Sequence, residues 1–156
     1  MRKNGEPFIT AQNLTIAYGP RVIVRDIDFT VNRGDIFVIM GGSGSGKSTI
    51  MKTLIGLKQP DSGVVMVGNT DLWRADGATR NKILETFGIS FQSGALFSSM
   101  TVGENVALPM ELQTKMSSQQ IARRVAEKLE LVGLSDAHDL YPTEISGGMI
   151  KRAALA

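Results

Sequence analysis

Apolar and polar residues alternate along the first part of the chain, which is the pattern of half-buried β-strands. The alternation runs through residues 8–18, breaks at Gly19-Pro20 and resumes over 22–31. This pattern predicts two strands joined by a tight turn. Farther along, the β-branched run 64–67 follows a turn-forming stretch and predicts another strand.

Two other short runs are candidate strands, the first apolar at all five positions and the second at three of its five. They read Ile-Phe-Val-Ile-Met at 36–40 and Phe-Gly-Ile-Ser-Phe at 87–91. Continuous apolar character is typical of a strand that is buried on both faces of a parallel sheet. We therefore expect a buried parallel strand at 36–40 and a further strand at 87–91.

The second half of the chain has helical patterning. Thr101 with Glu104, and Ser117 with Gln120, have the spacing of a capping box at the start of a helix. After the second of these pairs, one helical face is apolar and consists of Ile121, Val125, Leu129 and Val132. The predicted fold class is α/β, with an antiparallel β subdomain in front and a helical subdomain behind.

A glycine-rich loop follows the run 36–40 and has the spacing G-x-x-x-x-G-K-[ST]. Its residues are Gly41, Gly42, Ser43, Gly44, Ser45, Gly46, Lys47, Ser48 and Thr49. The glycines let successive backbone N–H groups point at phosphate oxygens, Lys47 is placed to reach the β- and γ-phosphates, and the Ser48 hydroxyl can ligate Mg²⁺. Apolar residues at helical spacing follow, so this phosphate loop opens a helix whose N-terminus favours anions. The pattern predicts nucleotide binding.

Composition narrows the class of protein. Of 156 residues, 42% are hydrophobic and 21% are charged, and the net charge is +2 with basic residues scattered, so we expect no nucleic-acid partner. Cysteine is absent, which suits a reducing compartment. The first residues lack the apolar stretch of a signal peptide, and no apolar run approaches the ~18 residues of a membrane span. We expect a soluble, cytoplasmic protein without direct membrane insertion.

A second anion-receptive motif lies near the end of the sequence. Ile145-Ser146-Gly147-Gly148-Met149 precedes a helical segment, with Ser146 suited to cap the helix. With the phosphate loop and the intervening helical section, this motif resembles the nucleotide-binding domains of ABC transporters over essentially the whole chain. The family signature is L-S-G-G-Q, from which Ile145 and Met149 depart.

The resemblance implies an ABC ATPase domain with ATP and Mg²⁺ as cofactors. Its parts would be residues 1–91 (β subdomain and phosphate-loop core), 92–145 (glutamine loop and helical subdomain) and 145–156 (signature motif and the start of its helix). Tyr18 matches the aromatic residue that stacks on adenine, and Gln92 matches the glutamine that reaches Mg²⁺ and the attacking water. Ser48 and Gln92 are therefore the implied metal ligands.

The resemblance also implies partners. Ser146, Gly147 and Gly148 would contact ATP held by a second ATPase subunit, giving a homodimer with ATP at the interface. Residues Gln92 to Glu111 would meet a membrane permease and hold the protein on the inner face of the cell membrane. The stretches 91–97 and 100–106 are similar to the ATPases of bacterial Mce-type phospholipid transport systems, which implies lipid movement across the cell envelope.

The family's catalytic residues after the signature have no match in this sequence. An Mg²⁺-binding Asp, a water-polarising Glu and a switch histidine come later in the family, whereas this chain ends eight residues after Gly148. We therefore expect an ABC fold truncated before the Walker B strand, which binds ATP without hydrolysing it.

Two alternative functions stay open for the sequence. One is another class of P-loop NTPase, such as a GTPase or small-molecule kinase, and the other is a regulatory module that does not hydrolyse nucleotide.

Overall fold

The computed structural model describes residues 5–156; residues 1–4, on which the expectation about a signal peptide partly rests, lie outside the described residues. The chain divides into two compact units, the first ending at Gly88 and the second beginning at Ile89. The elements of the first unit are β1 (Pro7–Tyr18), β2 (Arg21–Asn32), α1 (Lys47–Leu54), β3 (Ser62–Val67), β4 (Thr70–Asp71) and α2 (Gly77–Leu84). Those of the second are α3 (Val102–Gln113), α4 (Ser118–Leu131), α5 (Gly147–Ala153) and two short 3₁₀ turns, Ser135–Ala137 and Pro142–Glu144.

The first unit is built on an antiparallel sheet with strand order β2-β1-β3-β4. The predicted hairpin is confirmed, because β1 pairs with β2 from Pro7–Asn32 to Tyr18–Arg21. Its register shifts between Ala11 and Leu14, where Asn13 has a positive φ of 47°. Such a bulge bends the strand and increases its local twist.

One face of this sheet forms the first hydrophobic core. It comprises buried residues of β1, β2 and β3 together with two residues of α1 and Leu72: Ala11, Leu14, Ile16, Val24, Ile50, Leu54, Val65, Val67 and Leu72. The alternation of apolar residues in the sequence corresponds to this inward face. The core holds α1 against the sheet and so fixes the position at which the phosphate loop enters that helix.

The prediction of a buried parallel strand at 36–40 is wrong. Residues 35–40 form no strand among the described residues, and Ile36 and Met40 are 95% and 86% exposed. The segment contacts the rest of the first unit through two side chains: Phe37, itself 45% exposed, stacks on Phe29 with ring centroids 5.2 Å apart, and the half-buried Ile39 packs against the first core. A strand needs a neighbour that completes its hydrogen-bond ladder, and the described residues place none beside this segment.

The predicted strand at 87–91 is also absent from the described secondary structure. The chain leaves α2 through a turn at 85–87, and Ile89 and Phe91 are 38% and 40% exposed. The physical reason is the same, because an apolar run lies in a ladder only where a second strand pairs with it. Neither run reveals its pairing partner through its own composition.

The C-terminal end of α1 is held by contacts that no periodicity indicates. Gly56, with φ of 78°, follows the helix, and its carbonyl accepts a hydrogen bond of 2.7 Å from Arg80. The Arg80 guanidinium lies 4.1 Å from the ring centroid of Trp73, whose indole N–H donates to the carbonyl of Thr53. This cation–π contact and the two hydrogen bonds tie α1 to α2.

The second unit is helical, and both predicted capping boxes are present. Thr101 and Glu104 cap α3 reciprocally, and Ser117 and Gln120 do the same for α4. The predicted apolar face of α4 is confirmed, because Ile121, Val125 and Leu129 are buried and Val132 packs partly against them. These residues form a second core with α3 and α5.

The C-terminal end of α4 has a Schellman motif. Gly133, at φ of 65°, donates its N–H to the carbonyl of Glu130, and the next N–H, that of Leu134, donates to the carbonyl of Leu129.

Among residues 5–156, no helix is long and apolar enough to cross a membrane.

Thr53 supplies a test of the first core. Its side chain is fully buried on α1, and its hydroxyl has no hydrogen-bond partner among the described residues. Thr53→Val removes an unsatisfied polar group while nearly keeping the shape, so we expect a gain of about 1 kcal/mol in the free energy of unfolding. Urea denaturation at constant m-value measures it.

The matched control is Thr79→Val on α2. The Thr79 hydroxyl donates a 2.7 Å hydrogen bond to Asp76, so the same chemical change should lower the free energy of unfolding there. If both substitutions lowered the free energy of unfolding by the same amount, the Thr53 hydroxyl would not be the unpartnered group that we describe.

Candidate phosphate-binding site

The phosphate loop is shaped by two glycines with left-handed backbone conformation. Gly44 has φ of 79° and Gly46 has φ of 93°. At Gly46 a Cβ atom would lie 2.6 Å from Cγ2 of Val24 on β2, closer than real Cβ contacts come. Only glycine satisfies both the dihedral angle and the approach to β2, so this position fixes where the loop turns into α1.

The Lys47 ammonium folds back over the loop that precedes it. Its Nζ donates to the carbonyl oxygens of Gly41 and Gly42 at 2.8 and 2.7 Å and lies 3.4 Å from the Ser45 hydroxyl. The loop thus surrounds the one cationic group of its motif. A phosphate oxygen that binds there meets a charged donor already held within the loop.

The start of α1 presents amide groups without a side-chain acceptor. Its N-cap is Gly46, no side chain among the described residues caps the helix, and its first turn contains no acidic residue. Ser48 is exposed and Thr49 is half-buried in that turn. This donor set fits a phosphate group, and the Ser48 hydroxyl is of the hard oxygen type that Mg²⁺ takes as a ligand.

Tyr18 ends β1 with its side chain 48% exposed. The Lys58 ammonium lies 5.3 Å from its ring centroid and 3.6 Å from the Asp61 carboxylate. The same carboxylate accepts the N–H of Ala17 at 2.6 Å. The 58–61 loop therefore braces the strand end that carries the aromatic ring and leaves part of the ring open for stacking.

Gln92 lies in an exposed turn of the second unit. The turn closes with a hydrogen bond of 2.9 Å from the N–H of Gly94 to the carbonyl of Phe91. Gly94 has φ of 81°, and a Cβ there would lie 2.5 Å from Cγ2 of Ile150. The turn that presents Gln92 is therefore packed directly on α5, the helix that follows the Ser-Gly-Gly motif.

Ser146 is the predicted N-cap of α5. Its hydroxyl accepts the N–H of Met149 at 3.3 Å, and the side of the helix start that carries Gly147 and Gly148 is exposed. At the other end of α5, Arg152 donates to the carbonyls of Val132 and Gly133 at 3.0 and 3.3 Å. Arg152 thus supplies hydrogen-bond donors to carbonyl groups just beyond α4 and links α5 to the end of α4.

The site residues fall into two groups by unit. Tyr18 and the phosphate loop belong to the first unit, whereas Gln92 and the Ser146–Gly148 motif belong to the second. Sequence reasoning missed Lys58 and Asp61, which brace Tyr18, and Arg152, which orients α5. The basic pair Lys151-Arg152 could have indicated the role of Arg152, because cations in the last turn of a helix often bond nearby carbonyls.

The sequence model of the ABC transporter family matches residues 24–156, which include the phosphate loop, Gln92 and the Ser-Gly-Gly motif. The chain belongs to the ABC transporter family. This membership confirms the resemblance seen in the sequence and decides against other classes of P-loop NTPase.

Relatives and solved structures agree with the family. The chain is 41% identical over 148 residues to the probable ribonucleotide transport ATP-binding protein mkl of Mycobacterium tuberculosis, covering 95% of this chain and 41% of that protein. It is 40% identical over 149 residues to the intermembrane phospholipid transport system ATP-binding protein MlaF of Haemophilus influenzae, covering 96% of this chain and 56% of that protein. This chain therefore spans about half the length of these relatives or less.

The fold matches a solved ATP-binding cassette. The dimeric structure of MJ0796 in a post-hydrolysis state, bound to ADP and Pi, superposes with a TM-score of 0.85 at 29% identity, covering 94% of this chain and 67% of that one. The α/β ABC ATPase fold predicted from the sequence is thereby confirmed.

Lys47→Ala tests the phosphate loop. The variant removes the ammonium that the loop surrounds, and we expect the affinity for Mg-ATP to fall by at least about tenfold. Isothermal titration with Mg-ATP measures the change, and circular dichroism checks that the fold is kept. Lys52→Ala, on the same helix, is the matched control and should bind like wild type. Unchanged affinity in a folded Lys47→Ala variant would overturn the assignment.

Proposed function

We propose that this protein is the ATP-binding, energy-coupling subunit of an ABC transporter. The observation that carries the proposal is the Lys47 ammonium, hydrogen-bonded to two loop carbonyls at the uncapped start of α1. When bound, Mg-ATP would supply the phosphoryl group that is hydrolysed in the transport cycle. The chain's own residues bind the phosphates through Lys47 and the loop N–H groups, ligate Mg²⁺ through Ser48 and Gln92, and stack Tyr18 on adenine.

A homodimer with ATP at its interface is the proposed working form. Two observations support it: Ser146, Gly147 and Gly148 form an exposed motif at the start of α5, and the MJ0796 cassette is described as dimeric. In this arrangement the motif of one subunit contacts the nucleotide held by the phosphate loop of the other. Bound ATP would then be held by the phosphate loop of one subunit and by residues Ser146, Gly147 and Gly148 of the other.

The proposed cargo is a phospholipid, moved across the bacterial cell envelope by an Mce-type system. Residues 91–97 and 100–106 carry the similarity to that branch, and MlaF is named for intermembrane phospholipid transport. The mkl protein is named for ribonucleotide transport, so the cargo is selected by the permease and its partners rather than by the phosphate loop. The protein would work on the cytoplasmic face of the membrane, attached through its permease.

We further propose that the 156-residue polypeptide by itself binds ATP but turns it over slowly. The metal ligands proposed for this chain are Ser48 and Gln92, two uncharged side chains that do not serve as a general base for water. Binding phosphate in the ground state gives affinity, whereas rate requires groups that orient the attacking water. A phosphate-release assay with Lys47→Ala as the blank should show turnover far below about ten per second. Turnover near that rate, abolished by Lys47→Ala, would refute this proposal.

The permease is proposed to bind the Gln92–Glu111 region. Phe97 is 57% exposed there, beside a cavity of about 360 Å³ with a mostly apolar lining that includes Phe97, Val106, Pro109 and Met110. An exposed aromatic ring next to an apolar cavity is the composition of a protein-binding hot spot.

Phe97→Asp tests this docking surface. A carboxylate in place of the exposed ring should lower co-purification with the cognate permease by at least about tenfold while leaving Mg-ATP affinity unchanged. Leu131→Asp, which replaces an 80% exposed apolar residue at the end of α4, is the matched control and should co-purify normally. Recovery of the Phe97→Asp complex at wild-type levels would refute the docking surface.

A further inference from the structure

The carboxamide of one side chain lies within hydrogen-bond distance of four backbone groups of the loop that presents Phe97. Asn105, on the first turn of α3, accepts the N–H of Phe97 through Oδ1 at 2.7 Å. Its Nδ2 lies 3.1 Å from the Phe97 carbonyl oxygen, 3.1 Å from that of Met100 and 2.8 Å from that of Thr101. We call residues 97–101 the Phe97 loop.

These contacts require a carboxamide. The loop presents one N–H and three carbonyl oxygens to the same side chain end, so it needs an acceptor and donors within one small planar group. A carboxylate of the same size accepts only, and a hydrocarbon does neither. Asparagine is also a poor residue for a helix interior, and its use there is explained when its side chain bonds backbone groups.

The start of α3, which carries Asn105, is itself held in place. The start of α3 donates backbone N–H groups to a second segment, from Val102 to the carbonyl of Leu140 at 2.8 Å and from Gly103 to that of His138 at 2.9 Å. Gly103 is buried, and a Cβ there would lie 2.5 Å from Nε2 of His138. Asn105 thus connects a tightly held helix start to an exposed loop.

The Phe97 loop lacks burial of its own. Phe97, Ser98 and Ser99 are all exposed, so apolar packing does not determine the shape of the loop tip. Apart from the Asn105 bonds, the loop is held by a turn hydrogen bond from the N–H of Met100 to the carbonyl of Phe97 at 3.2 Å and, at its end, by the capping box of Thr101 with Glu104. We therefore expect loss of the carboxamide to free the tip of the loop, residues 97–99, and with it the position of the Phe97 ring.

We propose that Asn105 is the positioning residue of the permease-docking surface: its carboxamide holds the Phe97 loop in the one shape that presents the Phe97 ring to an apolar cytoplasmic segment of the permease. The inference rests on the proposed docking of the permease at residues 92–111. Pre-ordering the loop lowers the entropy lost on binding, so loss of Asn105 weakens docking although the residue itself need not touch the permease.

Asn105→Asp is the decisive variant, because it replaces one NH₂ group by an oxygen. The bond to the Phe97 N–H is kept, while three carbonyl oxygens now face a carboxylate. Hydrogen–deuterium exchange of the peptide covering residues 97–101 should accelerate by at least about tenfold, and co-purification with the cognate permease should fall by a similar factor. Mg-ATP affinity should stay within about twofold, since the Asn105 side chain bonds only residues 97–101 and none of the groups proposed to contact the nucleotide.

Two controls separate positioning from general damage. Asn81→Asp makes the same chemical change on the exposed helix α2, where the Asn81 side chain forms no hydrogen bond to the described residues, and should alter none of the readouts. At low pH the introduced carboxyl group gains a proton that it can donate to a loop carbonyl, so the excess of exchange over wild type at the same pH should shrink. If Asn105→Asp does not fold, Asn105→Gln, with its amide one methylene farther out, serves for the same comparison.

The outcomes distinguish this inference from the docking proposal. Faster loop exchange together with loss of the permease supports the inference. Unchanged exchange, or faster exchange with wild-type recovery of the permease, overturns it while Phe97→Asp still loses the permease. If Phe97→Asp also keeps the permease, the docking surface itself is wrong and the inference fails with it.

Discussion

The phosphate loop depends on the close approach of Gly46 to β2. With φ of 93° and no room for a Cβ beside Val24, Gly46 sets the direction in which the loop enters α1. α1 in turn is held by Ile50 and Leu54 in the first core. The position of the Lys47 ammonium over the loop therefore follows from packing of α1 on an antiparallel sheet, through core residues that are not part of the loop.

Charge and backbone dipoles act at the same place in this site. The helix start combines N–H groups that no side chain among residues 5–156 caps with the positive end of the helix dipole, and the Lys47 ammonium adds a full charge to them. The two loop carbonyls that accept hydrogen bonds from the ammonium offset the repulsion between its charge and the positive end of the helix. They also keep the Lys47 side chain in a rotamer that places its ammonium at the loop. An anion that binds here would replace these carbonyls as the acceptor of the Lys47 hydrogen bonds. Binding would therefore need little rearrangement of the chain.

Much of this arrangement could be predicted from local sequence. The two capping boxes, the buried face of α4 and the β1–β2 hairpin have their causes within a few residues of one another, and the structure shows all of them. The runs 36–40 and 87–91 failed as predicted strands because strand formation depends on a partner, which composition does not reveal. The Arg80–Trp73 stacking and the Asn105 contacts were missed for a related reason: a side chain's partners are fixed by the folded chain rather than by the periodicity of its own segment.

In the second unit, the surfaces proposed for recognition are exposed, and each is supported by a hydrogen bond or a close packing contact behind it. Gly94 packs on Ile150 behind the Gln92 turn, Arg152 binds the carbonyls beyond α4, and Asn105 holds the Phe97 loop. Exposed groups cannot rely on burial for their placement, so each is fixed by a polar or glycine contact one layer behind it. Because Gly94 and Arg152 both contact the structure around α5, a movement of that helix would disturb the Gln92 turn and the end of α4 together.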